Sequence, residues 1–347
     1  MNAVQKKSWK KPKRRPQAMD YSILFLVLFL VGFGLVILYS TSSYKASLLY
    51  NDTTYWVKKQ ALFAAMGICG MLFIATRDYH IWQKKWWFAW VIYGGVIGLL
   101  LLTFAIGAAS HGSQRWISIG PFSLQPSELA KIGIILFLAA YISSKSREMR
   151  QWKKMVIMIF VATPLLVPFV VIGLIGVAGA GGLLLTQGYR MERITVWLDP
   201  AASEKGHQTI QGLYAIGSGG LFGKGLGQSM QKLGFLPEAN NDMIFSVICE
   251  ELGLFGALCV LALFFALIWR FMVIAVNAPD LYGSMIVVGV IAHIGIQVFI
   301  NIAVATNTIP NTGIPLPFIS YGGSSLVFML LEMGLVLSVS RYINVKK

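Results

Sequence analysis

A chain of 347 residues in which 56% are hydrophobic and only 12% charged has roughly half the charge of an ordinary soluble domain, which excludes a water-soluble fold. Its net charge of +15 does not point to nucleic acid, because the basic residues crowd beside apolar runs as membrane topology demands. The three cysteines, Cys69, Cys249 and Cys259, lie in or beside such runs and read as packing residues, with no disulfide framework or metal cluster.

In chain order, residues 1–20 form a basic tail holding Lys6, Lys7, Lys10, Lys11, Lys13, Arg14 and Arg15 ahead of the first apolar span. That span is too long for a cleavable signal, lacks a small-residue cleavage pattern and is followed by others. Spans are predicted near 21–40, 58–76, 87–107, 127–143, 155–185, 244–269, 282–305 and 318–340, matching the roughly 20 helical residues that hydrocarbon requires. A backbone in that medium must pair its own polar groups, and the short alternating segments of a barrel are missing. The fold class is therefore all-α: one polytopic transmembrane helix bundle of about eight spans over residues 21–347.

With the basic tail cytoplasmic, the loop 77–85, the cluster Lys145, Arg147, Arg150, Lys153 and Lys154, and the C-terminal Arg341, Lys346 and Lys347 fall on the same side. Their charge also suits anionic membrane lipids. Segments 108–126, 186–243 and 306–317 then lie outside, and a loop as long as 186–243 is where function is sought. The stretch 155–185, with Pro164, Pro168 and a glycine-rich second half, would make one helix roughly 46 Å long. Either it tilts and kinks at the prolines, or it contains a broken junction.

Ionisable groups near the outer ends of spans are the candidates for chemistry. Arg115 precedes the run Gln125-Pro126-Ser127-Glu128-Leu129-Ala130-Lys131, where Glu128 and Lys131 stand one turn apart and first read as an ion pair on a capped helix. The stretch Lys232-Leu233-Gly234-Phe235-Leu236-Pro237-Glu238-Ala239-Asn240-Asn241-Asp242 ends at an apolar run, where Asp242 can cap the helix and still accept a proton. The glycine-rich residues 217–227 miss the nucleotide-loop pattern, since Lys224 is followed by Gly225, and read as a flexible surface loop. Glu250 and Glu251 must face the interior or a wet cavity, and His293, Gln297 and Asn301 form a polar interhelical seam. The segment from Pro310 through Ser320, Tyr321, Gly322 and Gly323 is too rich in proline and glycine for a plain span entry, and reads as shaped backbone entering the bundle.

The stretches QRWISIGPFSLQPSELAKI, GSGGLFGKGLGQSMQKLGFLPEANNDMIFSVICEELG and TGIPLPFISYGGSS, with the opening MDYSILFLVLFLVGFGLVILYSTSS, resemble the SEDS family of shape, elongation, division and sporulation proteins, closest to its FtsW and SpoVE branch. The resemblance implies a peptidoglycan glycosyltransferase that polymerises lipid II, the undecaprenyl-diphosphate-linked disaccharide pentapeptide, at the outer face of the bacterial cytoplasmic membrane, at the division septum. It puts the family's essential aspartate at Asp242 and substrate contacts at Arg115, Glu128, Lys131, Lys232, Glu238, Ser320, Gly322 and Gly323. It implies a class B penicillin-binding protein transpeptidase and other division proteins as partners, and it leaves room for a divalent cation, Mg or Mn, although no ligand cluster demands one. Asn240 and Asn241 stand where the family usually has a His-Thr type pair. The family also usually has ten spans and an acidic Glu-Pro-Asp-Leu-Gly-Thr type motif at the outer end of the fifth. This chain has neither, as if two crossings were missing around residues 165–175. An inactive scaffold and a lipid II flippase are the competing roles.

Overall fold

The structure, a computed structural model, describes residues 16–83, 108–110, 113–119, 122–144, 188–203 and 206–343, with single positions between 91 and 98. The predicted spans 87–107 and 155–185 lie largely or wholly outside the described residues, as does the basic tail up to residue 15. Among the described residues six helices are long and apolar enough to cross a membrane: α1 (Tyr21–Tyr50), α2 (Tyr55–Thr76), α3 (Pro126–Ser144), α6 (Ile244–Asn277), α7 (Leu281–Ala305) and α8 (Gly323–Ser340). Two shorter helices, α4 (Gly188–Leu198) and α5 (His207–Ser218), lie in the long segment between α3 and α6.

The helix starts follow local chemistry. Asp20 caps α1 by accepting from Ser22 N at 2.9 Å and Ile23 N at 3.3 Å, and Asp280 caps α7 through Gly283 N at 2.7 Å. Helix α1 runs ten residues past its predicted end because its hydroxyls turn back on its own carbonyls. Thr41 and Ser42 both donate to Leu38 O, at 3.2 and 2.7 Å, so the polar run Ser40–Ser43 continues the helix. Helix α8 begins five residues later than predicted, leaving 310–322 as a non-helical return.

Segment 108–126, predicted to lie outside, contains a small antiparallel sheet of β1 (Ala108–Ser110), β2 (Ser113–Ile119) and β3 (Phe122–Leu124) in the order β1-β2-β3. Ile119 pairs with Phe122 and Ile117 with Leu124, which makes β2 and β3 antiparallel neighbours. Strand β2 packs beside α3, and β3 beside α8.

The last described helix is the centre of the bundle: 72% of its apolar window is buried, and α8 touches α1, α2, α3, α6 and α7. At the end away from Asp242, the Asp280 carboxylate collects Tyr79 OH at 2.6 Å and His80 Nε2 at 2.8 Å, and Ser338 Oγ donates to Arg77 O at 2.6 Å. These contacts tie the α2 exit to the α6–α7 connection and to the end of α8.

Helix α6 is broken at Gly253, with φ 69° and ψ −170°, inside an otherwise continuous run of 34 residues. The break removes the bonds that residues 254 and 255 would have made to the carbonyls of 250 and 251. The glycine-rich segment after α5 supplies all four missing partners. Lys224 N and Gly225 N donate to Glu250 O and Glu251 O at 2.9 Å each, while Leu254 N and Phe255 N reach Gly220 O and Leu221 O at 2.9 and 3.0 Å. The loop read from sequence as a free surface element is therefore stapled into the helix break. The approach is close, since a Cβ at Gly223 would meet Glu251 O at 2.2 Å and one at Gly253 would meet Gly223 N at 2.3 Å.

Replacing Gly253 by alanine is expected to lower the thermal midpoint of the purified protein sharply. Its backbone lies in a region essentially reserved for glycine, and the staple would be displaced, a combined loss of roughly 2–4 kcal/mol. Gly32→Ala, where a Cβ meets nothing within 4 Å, is the control expected to leave the midpoint unchanged.

Candidate active site

Asp242 lies one residue before Met243, the N-cap position of α6, and its residue is 6% exposed. Among the described residues no hydrogen bond from the helix amides caps α6 through its side chain. The carboxylate faces Gln208 Nε2 of α5, 3.4 Å from each oxygen, and hydrogen-bonds the Asn311 side chain. Burial, reinforced by the nearby Glu238 charge and only partly offset by its hydrogen bonds to a backbone N–H, Asn311 and Gln208, pushes the carboxyl up to about 6. A carboxyl in that range exchanges a proton near neutral pH far more readily than an exposed one.

The main chain carrying Asp242 is held at three consecutive carbonyls. Asn240 O accepts from Tyr321 N at 2.9 Å, Asn241 O from Ser320 Oγ at 2.6 Å, and Asp242 O from Asn301 Nδ2 at 2.9 Å. Two of these donors come from the proline- and glycine-rich return and the third from α7. The return is itself braced: Gln60 of α2 donates to Ser320 O at 3.2 Å and accepts from Gly322 N at 3.3 Å, and Trp56 meets the Tyr321 ring edge-on at 4.9 Å. Ser320, Gly322 and Gly323, read from sequence as substrate contacts, are thus committed to protein contacts, with Gly323 packed against the Phe63 ring.

Lys232 is one of the substrate contacts that the resemblance implies. It is buried, with Nζ 2.8 Å from both Glu251 Oε1 and Ser40 Oγ. Ser40 Oγ in turn lies 2.6 and 2.8 Å from the two Glu251 oxygens, so the pair is closed by α1. Glu250 is paired in parallel with Lys224 at 2.7 Å and Ser229 at 2.5 Å. Both glutamates face the interior, as their depth in α6 requires.

Glu128 and Lys131 form the expected ion pair at 2.7 Å on α3, and no described contact joins them to Asp242. Arg115 lies on β2, and its side chain, like that of Arg190, is outside the described residues. Glu238 adopts φ 53°, accepts from Asn241 Nδ2, and lines a cavity of about 190 Å3 with Thr41, Lys45 and Asn240. A larger cavity of about 550 Å3 lies beside it along the outer third of α1, lined by Val36, Tyr39, Ser43, Tyr44 and Leu226. Lys232 lies in the wall of both.

The described cation associated with Asp242 is Arg193 of α4, whose Nη1 donates to Asn311 O at 2.5 Å while the Asn311 side chain bonds the carboxylate. The polar seam on α7 reaches further than expected: His293 pairs with Glu332 of α8 at 2.8 Å, while Gln297 and Asn301 reach the return through Pro315 O and Ile314 O at 3.0 and 2.9 Å. Sequence reasoning missed Asn301 and Asn311 as site residues. Their only signal is position, one on the seam and one opening the return. Among the described residues no three His, Cys, Asp or Glu side chains gather into a metal-holding group.

A family described as cell cycle protein, FtsW/RodA/SpoVE, matches residues 21–167 and 152–345. Stage V sporulation protein E of Bacillus subtilis is 42% identical over 93% of this chain and 97% of its own. A probable peptidoglycan glycosyltransferase FtsW of a Geobacter species is 36% identical over 94% and 98%. The sporulation-protein alignment runs over 358 residues, more than the 347 of this chain, so this chain lacks residues that its relative has. The two family matches meet at 152–167, next to the predicted loss. Among solved structures, a chain from work on structural coordination of polymerization and crosslinking by a peptidoglycan synthase complex superposes with TM-score 0.72 at 26% identity, covering 93% of this chain and 98% of that one. The rod shape determining protein RodA of Thermus thermophilus superposes with TM-score 0.64 at 28% identity, covering 94% and 99%.

Because the Asp242 carboxyl stands at about 6 when folded against 3.8 in an unfolded chain, the folded state favours its protonated form. That contribution is complete below about pH 3.8 and is lost as pH rises through 6. Asp242→Asn is therefore expected to raise the thermal midpoint at pH 8, by the equivalent of up to roughly 3 kcal/mol, and to leave it unchanged at pH 4. Paired melts of the two proteins at the two pH values measure this.

Proposed function

The chain belongs to the FtsW/RodA/SpoVE family of cell cycle proteins, and from that membership we propose that it is an integral-membrane peptidoglycan glycosyltransferase polymerising lipid II. The observation that carries the reading is Asp242: a buried carboxyl near 6, held by its main chain at the mouth of the bundle. The identities of 42% and 36% to a sporulation protein and an FtsW, against 28% to a RodA, favour the branch that works at septa.

Joining a sugar linked through an α-diphosphate to an acceptor hydroxyl by a β-1,4 bond inverts the anomeric carbon in one displacement. The acceptor 4-oxygen forms the new bond to that carbon. Its proton passes to Asp242, and the bond to the diphosphate breaks with its electron pair leaving on undecaprenyl diphosphate. A carboxyl near 6 is ionised at pH 7 and still basic enough to share the proton in the transition state. Arg193, one residue removed from the carboxylate through Asn311, and Arg115 on the strand beside α3 supply fixed positive charge for the leaving diphosphate. Glu128 and Lys131 belong to the same wall as a paired brace. A divalent cation, Mg or Mn, would add positive charge beside the leaving diphosphate.

The basic tail puts the N-terminus in the cytoplasm and, by helix parity, the Asp242 end outside, where lipid II is polymerised. A class B penicillin-binding protein is the expected partner, in keeping with the synthase complex among the structural neighbours. The residues missing relative to the sporulation relative favour one alternative, a scaffold without activity.

Purified chain with its cognate class B penicillin-binding protein is expected to turn lipid II into glycan strands resolved by gel electrophoresis, and Asp242→Asn to make none. Arg193→Ala is expected to raise KM for lipid II roughly tenfold, the loss of one charge-assisted contact. A folded native protein that forms no strands would place it with the scaffolds, whereas lipid II translocation that survives Asp242→Asn would mark a flippase.

A further inference from the structure

Asn301 sits on α7 with no exposed surface, in a helix whose neighbouring polar residues serve other contacts. Its Nδ2 group donates both hydrogens to main-chain carbonyls, Asp242 O and Ile314 O, each at 2.9 Å. Since both partners are acceptors, only the NH2 end of the amide can face them, while Oδ1 points into a buried position with no partner. One amide therefore bridges the two chain segments that build the site.

The consequence for the carboxylate is geometric. Ile314 directly follows Gly313, whose missing Cβ would stand 4.0 Å from Asp242 Oδ2, and lies three residues beyond Asn311, whose side chain bonds that carboxylate. Holding Ile314 O and Asp242 O on one nitrogen sets the distance between carboxylate and return. Ser320 and Tyr321 join the return to the neighbouring carbonyls of Asn241 and Asn240, whereas Asn301 reaches from α7 to the Asp242 carbonyl itself and to the 311–314 turn.

We propose that Asn301 is a positioning residue for Asp242, fixing the carboxylate against the 311–314 turn by bridging the two main chains from the rigid α7 helix. The role rests on the reading of Asp242 as the base. Without the bridge two buried carbonyls lose their donor, the 311–314 turn is released from Asp242 while Ser320 and Tyr321 still hold the adjacent carbonyls, and water enters beside the carboxyl. Hydration then lowers its proton affinity toward the ordinary carboxylate range and spoils its alignment with the acceptor hydroxyl. The charged and titratable neighbours on the surrounding elements are Glu238 on the same segment, Arg193 of α4 behind Asn311, and His207 of α5, whose Nε2 lies 2.9 Å from Phe235 O. All of them remain in an Asn301 variant.

The test compares Asn301→Ala, Asn301→Ser and Gln297→Ala in the full chain with its penicillin-binding partner. Gln297 donates to Pro315 O on the same return but does not touch the Asp242 segment. Two quantities are read: kcat and KM for lipid II, and the pH midpoint of the infrared carboxyl band that Asp242→Asn removes. Asn301→Ala is expected to lower kcat by roughly tenfold to a hundredfold with KM within about twofold, the cost of a misplaced group, and to move the midpoint down by about one pH unit or more. Asn301→Ser falls between, and Gln297→Ala keeps the native midpoint. The same kcat and midpoint in Asn301→Ala as in Gln297→Ala would overturn the proposal. So would failure of both Asn301 variants to fold, which would make the residue an element of the fold alone. Because the carboxyl midpoint is read without turnover, a native protein that forms no strands would defeat the glycosyltransferase reading while the midpoint still decides on Asn301.

Discussion

A peptide group in hydrocarbon has no water to fall back on, and this architecture follows from how that requirement is met wherever a helix stops being a helix. The six described spanning helices settle it internally over most of their length. The departures, the break at Gly253 and the return between α7 and α8, settle it by bringing in other chain. At the break, two amides and two carbonyls are replaced one for one by the glycine-rich segment after α5. At the return, the carbonyls of Asn240, Asn241 and Asp242 are met by Tyr321, Ser320 and Asn301. The site is thus the place where irregular backbone from two directions has to be matched, and a carboxylate there is held by main chain more than by side chains.

Charged pairs below the mouth hold the same framework. Glu250 and Glu251 follow each other on α6 just before the break, yet they take different partners, Lys224 on the staple and Lys232 with Ser40 of α1. Burying such pairs adds little net stability, but losing one member leaves an uncompensated charge that typically costs about 3–5 kcal/mol. Their effect is to fix the register of α1, the staple and α6, and so to hold the α1 and 226–233 walls of the larger cavity. Lys232 therefore serves as wall and not as a free cation. Pairing with a glutamate 19 residues later is a relation that sequence spacing cannot reveal.

Hydropathy alone located α2, α3, α6 and α7 closely at their starts, because apolar runs and membrane thickness leave little freedom. It misjudged the end of α1, where hydroxyls bond within the helix, and the start of α8, where apolar residues such as Phe318 and Ile319 belong to the return. The pairing of β2 with β3 has a sequence signal in the alternation on either side of Gly120-Pro121, but a chain dominated by long spans draws attention away from so short a signal. Asp242 was legible through its motif. Its bracket was not, since a carbonyl acceptor belongs to every residue and carries no mark in the sequence. Whether 155–185 is one kinked span or a junction falls outside the described residues.

The central place of α8 bears on how the protein is made. Helices enter a membrane in the order of synthesis, yet here the one that the others surround comes last among those described, and Asp20 and Gln17 at the start of α1 contact Ser340 and Arg341 at its end. Until the ribosome has passed residue 340, the earlier helices wait as a ring without its hub, and Asn240 and Asn241 wait for donors that lie some 80 residues downstream. The bundle closes and the site forms only once that hub has been inserted, so a chain that stops before the return and α8 lacks the donors that hold Asn240 and Asn241 in place.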